Sequence, residues 1–218
     1  MLADYLINAF ATLFVTIDPV GLAPMFLAVT AGATAATRRR IAVRATLIGG
    51  AILFLFLVAG RGVLGVLGIS VPAFQIAGGL LLLIIAIEMV FEKRNRRKSE
   101  TAEKAVSQHA AQHAAHQEEL HDVAVFPLAI PLIAGPAAIS AVILLSSQAV
   151  DTVSYLGLAL VILVIIGACF VSFLLADRIE RMMGETAAVV VTRLLGVLLA
   201  ALSIQFIADG IRAMIAAS

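Results

Sequence analysis

A single acidic residue inside a long apolar segment constrains this chain more than any other feature. Between Tyr5 and Thr37 the only charged residue is Asp18. A segment of that length can cross a bilayer as a helix. Asp18 is therefore expected near the middle of a membrane span, where a charge is costly and usually functional.

The residues after Asp18 predict that this span is broken. Pro19 and Pro24 each lack a backbone N–H, and Gly21 has no side chain to pack. A continuous helix is not expected there. Asp18 is predicted to be the N-cap, and Pro19 the first residue, of a second half-helix. The alternative is that Asp18 only caps a kinked helix, but a carboxylate beside an opened backbone favours a binding or pathway role.

Composition assigns the whole chain to the membrane class. Hydrophobic residues make up 62% and charged residues 13%, with a mean hydropathy of +1.09, whereas soluble proteins average roughly 25% charged. Six apolar stretches are each near the ~20 residues that a spanning helix needs. The prediction is an all-α polytopic membrane protein with spans at residues 5–30, 41–60, 70–91, 123–147, 152–176 and 188–211.

Basic residues predict the orientation. Polar breaks between the apolar stretches are predicted to be loops, and one of them is 177–185. The first, third and fifth loops hold all of the 15 basic residues except Arg61 and Arg212. The positive-inside rule makes these loops cytoplasmic and both termini external. The net charge of +1 gives no indication of nucleic-acid binding, and no nucleic-acid partner is expected.

The chain also repeats internally. A shift of 117 residues aligns Pro19 with Pro136, Gly79 with Gly196 and Arg61 with Arg178. Each half, 1–91 and 123–218, then holds three spans, and an odd number makes the second half an inverted copy. Gly49-Gly50, Gly78-Gly79 and Gly196 are expected to allow close helix packing.

Inverted repeats predict a site at the midplane, between the broken first and fourth spans. In the fourth span, Gly135 and Pro136 stand where the first has Asp18 and Pro19. A lone carboxylate favours a cation, a proton or an amine over a bare anion. Glu88 aligns with Gln205 under the same shift. An interfacial ion pair is the alternative role for Glu88, and an inter-helix hydrogen bond is the alternative role for Gln205. The candidate site residues are Asp18, Pro19, Gly21, Pro24, Gly135, Pro136, Glu88 and Gln205.

Residues 92–122 differ from the rest, being charged, alanine-rich and home to all four histidines. His109, His113 and His116 would share one helical face and are weak candidate ligands for zinc or nickel. Charge and low complexity favour a solvated cytoplasmic linker instead. The single Cys169 allows no internal disulfide and no CxxC motif, and no cofactor is expected.

Four motifs carry a family resemblance. They are Asp18-Pro19-x-Gly21-x-x-Pro24-x-Phe26, the segment 126–136, Ile76-Ala-Gly78-Gly79, and Gln205-Phe206-Ile-x-Asp209-Gly210. Together they resemble the MarC family of bacterial inner-membrane proteins, which is grouped with the LysE superfamily of transporters. The resemblance implies an inner-membrane location and a transport role without a settled substrate. Ala137 and Glu88 depart from the usual family pattern.

The leading hypothesis is therefore a secondary transporter or exporter of a small solute or ion. The alternative is a non-transporting sensor that recruits a partner through the linker. An enzyme is not expected, because every histidine lies in the linker and no Gly-x-Ser-x-Gly occurs. Small-residue faces permit a homo-oligomer but do not require one.

Overall fold

The computed structural model describes residues 2–91 and 124–216, and in these ranges all regular structure is helical. The candidate metal ligands His109, His113 and His116 and the whole predicted linker, 92–122, lie outside the described residues. The division into two halves and a linker stays a prediction. The helices are α1 (Leu2–Ile17), α2 (Leu22–Val29), α3 (Ala35–Val66), α4 (Val71–Val90), a π-helix named π1 (Ala124–Ile133), α5 (Pro136–Gln148), α6 (Thr152–Leu174) and α7 (Ala176–Ala216).

Five described segments are long and apolar enough to cross a membrane, namely Leu2–Val29, Ala35–Val66, Val71–Val90, Thr152–Leu174 and Val189–Ala216. A helical, multi-pass membrane protein is thus confirmed. The count of six spans is not, because the predicted fourth span consists of π1 and the 13-residue α5. The predicted polar break at 177–185 does separate two apolar spans, Thr152–Leu174 and Val189–Ala216. The expectation of a loop there is wrong, since α7 runs through it. Its Arg, Glu and Met residues are good helix formers, so α7 begins before the predicted span.

Polar caps fix where the outer helices begin. The Thr34 side chain accepts a hydrogen bond from the Thr37 backbone N–H at 3.3 Å at the start of α3. Asp151 does the same at the start of α6, where the Ser154 N–H lies 2.7 Å from its Oδ1. That N–H stabilises the charged carboxylate and lowers the pKa of Asp151. Each cap satisfies an N–H that the helix itself leaves open.

The two broken segments form the centre of the bundle. In the first span 67% of the most apolar window is buried inside the protein, compared with 28–44% in the other four spans. In α5 every residue from Ala141 to Ser146 is buried, as expected for a helix that is apolar all round. Helices α3, α4, α6 and α7 instead expose large apolar side chains such as Leu47, Leu160 and Leu194. These outward faces suit contact with lipid.

Helices α4 and α7 make the most extensive contact in the described chain, and glycines bring them together. A Cβ on Gly79 would lie 3.0 Å from the Ser203 carbonyl oxygen, and one on Gly196 would lie 3.0 Å from that of Ala86. Both distances are to backbone atoms, which cannot move aside alone. The prediction that Gly79 and Gly196 allow close packing is therefore confirmed.

We expect Gly79→Ala or Gly196→Ala to lower stability by about 1–3 kcal/mol, because the added methyl group forces α4 and α7 apart. Gly167→Ala is the matched control, since its Cβ would meet no atom within 4 Å on α6. It should be neutral or slightly stabilising, because alanine is the better helix former. Thermal unfolding of the detergent-purified variants measures this. Equal loss in all three would contradict the packing account.

Candidate functional site

Asp18 occupies the break in the first span. Helix α1 ends at Ile17 and α2 begins at Leu22, and Asp18 between them has a φ of 59°. It is the one non-glycine residue with positive φ in the described chain. Aspartate tolerates this left-handed conformation better than most residues. Only 3% of Asp18 is exposed, so a carboxylate is held inside a membrane-spanning segment.

The carboxylate hydrogen-bonds across the break. The Asp18 N–H donates to the Phe14 carbonyl at 2.8 Å, and the Leu22 N–H donates to the Asp18 carbonyl at 3.1 Å. In between, the Gly21 N–H donates to Asp18 Oδ1 at 3.0 Å. An amide left open in the apolar interior would cost several kcal/mol, on the order of a lost hydrogen bond in lipid. The side chain thus replaces part of the interrupted helix ladder.

The predicted start of the half-helix is wrong in position. Pro19 is not its first residue, since α2 begins at Leu22 and Gly21 occupies the N-cap position without a side-chain bond. The reason is the left-handed backbone at Asp18, whereas an N-cap has extended backbone. The bond from Gly21 N–H to Asp18 Oδ1 nevertheless spans three residues, as an N-cap bond does.

Gly21 is the residue that lets the carboxylate lie where it does. A Cβ at position 21 would lie 2.7 Å from Asp18 Cγ and 2.9 Å from Oδ1, and closer still to Oδ2. Any side chain there would displace the carboxylate. Asp18 and Gly21 therefore form one geometric unit.

The second break is made by backbone alone. Helix π1 ends at Ile133, and α5 begins at Pro136 after Gly135, which is buried and has an extended backbone with φ −78° and ψ 168°. The Gly135 carbonyl accepts from the Ile139 N–H at 3.0 Å. Helix α1 packs against α5, so one segment from each break contributes to the same central contact.

The remaining candidate residues are spread more widely. Pro19 is buried, whereas Pro24 and Pro136 are exposed. Glu88 is half-buried on α4. Gln205 is exposed and donates to Asp209 Oδ1 at 2.9 Å within α7, not to another helix. The inter-helix bond expected of Gln205 is thus wrong, and the part of these residues in a site stays a prediction.

The family described as "MarC family integral membrane protein" matches residues 3–215. The chain belongs to the MarC family. Its relatives include the UPF0056 membrane proteins YhcE of Escherichia coli, 36% identical over 93% of this chain and 90% of its own length, and YvbG of Bacillus subtilis, 32% identical over 98% and 97%. A UPF0056 membrane protein of Archaeoglobus fulgidus is 34% identical over 95% and 92%. No solved structure matches the chain.

In this MarC family chain, four contacts that join residues 2–91 to residues 124–216 were not predicted from the sequence. The Phe26 and Phe173 rings stack with centroids 4.6 Å apart, and Arg38 pairs with Asp177 at 3.3 Å. The remaining two are Tyr5 Oη to the Leu145 carbonyl at 2.9 Å and Tyr155 Oη to the Leu57 carbonyl at 2.8 Å. For the two tyrosine contacts the sequence did offer a signal, because Tyr5 and Tyr155 are the chain's two tyrosines and both lie in apolar spans.

We expect Gly21→Ala to destabilise this MarC family chain by about 1–3 kcal/mol, because the new methyl group overlaps the Asp18 carboxylate. In an Asp18→Ala background the overlap is gone, so the same substitution should cost little. A double-mutant cycle on thermal unfolding isolates this coupling. Gly21→Ala is measured once with Asp18 and once with Ala at position 18, so any backbone strain at position 18 cancels within each comparison. Additive effects would show that the two residues do not share a site.

Proposed function

We propose that this protein is a secondary transporter that moves a small cation, a proton or an amine across the bacterial inner membrane. The observation that carries the proposal is Asp18, which is 3% exposed at a helix break within the span Leu2–Val29. A carboxylate is expensive inside a bilayer and is usually kept there for a pathway or proton relay. The names of the relatives give no substrate, and the wider LysE grouping is part of the proposal.

We further propose that two inverted halves surround this site, and the helix caps support this. Thr34 and Asp151 cap α3 and α6, and the two positions differ by 117 residues. The amides they bind, those of Thr37 and Ser154, differ by the same number. Both helices therefore start at equivalent positions, Ala35 and Thr152.

The close packing of α4 and α7 supports the same symmetry. Gly79 approaches the Ser203 carbonyl, and Gly196 approaches that of Ala86. The shift of 117 residues turns Gly79 into Gly196 and Ala86 into Ser203. The two contacts are thus exchanged by one operation, as expected for a pseudo-two-fold axis between α4 and α7. Proline breaks in the first and fourth spans would then be equivalent features of the two halves.

Alternating access also requires a closure at each end of the path. At the arginine-rich end, the first half supplies Phe26 and Arg38 and the second supplies Phe173 and Asp177. The stacked rings are 2% and 3% exposed. With Leu27 and Leu174 among others, the four residues line a cavity of about 160 Å³. We propose that this cluster, called the aromatic closure, seals Asp18 from the cytoplasm.

The opposite end has a different closure. The Tyr155 hydroxyl donates to the Leu57 carbonyl, and Leu57 lies 19 residues beyond Arg38 on α3, about 28 Å along the axis. The Tyr5 hydroxyl and Arg61 donate to carbonyls at the end of α5, those of Leu145 and Ser147. With both closures formed, the site is occluded. Opening one while the other stays formed is the proposed transport step.

Asp18→Asn should abolish transport while the fold is retained, because asparagine also tolerates the left-handed conformation and its carbonyl can accept from Gly21 N–H. Proteoliposomes loaded with a pH-sensitive dye and given gradients of Na⁺, K⁺ or methylammonium measure the flux. We expect the flux to fall at least tenfold, which corresponds to about 1.4 kcal/mol. Thermal unfolding of Asp18→Asn is the fold control, and unchanged flux in a folded variant would overturn the proposal.

Phe26→Ala combined with Phe173→Ala should expose the site from the arginine-rich end alone. A cysteine at Ala23, which is fully buried, reports this in a Cys169→Ala background that has no other thiol. A membrane-impermeant maleimide should label it about tenfold faster from that side only. The control is Phe10→Ala with Phe14→Ala, a stacked pair within α1 at 5.5 Å. Equal labelling from both sides, or none, would contradict the aromatic closure.

A further inference from the structure

A second cleft lies at the arginine-rich end of α3, beside the cavity of the aromatic closure, with which it shares Arg39. Its volume is about 740 Å³. Its described lining consists of Ala36, Arg39, Arg40, Val43 and Arg44. All five are exposed, and three are arginines. A guanidinium offers a planar fork of N–H donors that suits phosphate oxygens in two-point contact.

An apolar stripe continues from the cleft along the same face of α3. Arg40, Arg44, Leu47, Ala51, Leu55 and Val58 follow one another at helical spacing and are all exposed. Leu47, Leu55 and Val58 are 66%, 60% and 74% exposed. From Leu47 to Val58 the helix rises about 16 Å, close to one leaflet's share of a hydrocarbon core about 30 Å thick. The arginines of the cleft thus lie next to an apolar surface that is about as long as a lipid acyl chain.

We propose that this face of α3 binds an anionic phospholipid, with its phosphate between Arg39, Arg40 and Arg44 and its acyl chains along the stripe. The stripe favours a lipid over a soluble phosphate, because a free anion would have no use for the apolar surface. Anionic lipids are enriched in the cytoplasmic leaflet, and they attract basic residues that lie close to the membrane surface. The arginine-rich end is the one that the positive-inside rule assigns to that leaflet.

The arginines are not required by the helical framework itself. Shifted by 117 residues, Arg39, Arg40 and Arg44 become Leu156, Gly157 and Val161, which carry no charge. Helix α6 nevertheless packs against α3 and begins at the equivalent residue. The three charges are thus specific to α3 and are not a requirement of the proposed shared framework.

The test titrates the purified full-length protein with phosphatidylglycerol or phosphatidylcholine and counts bound lipid by native mass spectrometry. We expect phosphatidylglycerol to bind at least tenfold more tightly. Replacing all three cleft arginines with glutamine should weaken it on the order of 100-fold, about fivefold per arginine. The control, Arg212→Gln, removes an exposed arginine assigned to the opposite side and should leave binding unchanged.

Two further arms keep the result decisive. Inorganic phosphate and a short-chain phosphatidylglycerol should compete poorly, and equal competition by phosphate would replace the lipid site with a soluble-anion site. If the triple variant fails to fold, Arg40→Gln alone should still weaken binding about fivefold, whereas Arg40→Lys should lose less. Equal affinity for the two lipids, or unchanged binding after Arg40→Gln, would overturn the proposal. None of these readouts depends on transport.

Discussion

The structure depends on how a membrane segment tolerates an interrupted helix. Lipid offers no hydrogen bonds, so each amide released by a break needs a partner within the protein. In the first span the Asp18 carboxylate is such a partner, because it accepts from the Gly21 N–H at 3.0 Å. In the second break Gly135 relies on backbone alone. The polar side chain and the opened backbone are thus one feature, and burial by the surrounding helices makes it stable.

The seam between α4 and α7 supplies a fixed frame beside the broken segments. Glycines on each helix face carbonyl oxygens of the other so closely that an added Cβ would lie 3.0 Å from them. Such packing tolerates little sliding, because backbone meets backbone. Contacts at the two ends are of another kind. A ring stack, an exposed ion pair and single tyrosine hydrogen bonds each separate at small cost. A rigid seam with weaker contacts at both ends is the arrangement that the proposed alternating access requires.

Sequence reasoning reached the coarse architecture and the centre of the site, for physical reasons. Apolar runs and their lengths are imposed by the bilayer, so five spans were predictable. Asp18 was conspicuous because charge is rare in such runs. Two kinds of detail were out of reach. The start of α2 depends on the left-handed backbone at Asp18, which neighbouring residues do not dictate. Contacts such as Phe26 with Phe173 join positions 147 residues apart, and apolar composition does not specify register.

Departures from the proposed repeat are the most informative residues. A shared framework accounts for positions that agree under the shift of 117 residues, such as Gly79 with Gly196. It does not account for Asp18 opposite Gly135, or for Arg38 opposite Tyr155. In each pair one of the proposed halves carries a charged side chain, and the other carries an uncharged residue at the equivalent position. These two differences fall at the central break and at the proposed closures, whereas those at Arg39, Arg40 and Arg44 fall in the cleft of α3. Functional residues are expected where the proposed symmetry is broken, because the proposed directional transport requires two ends that are chemically distinct.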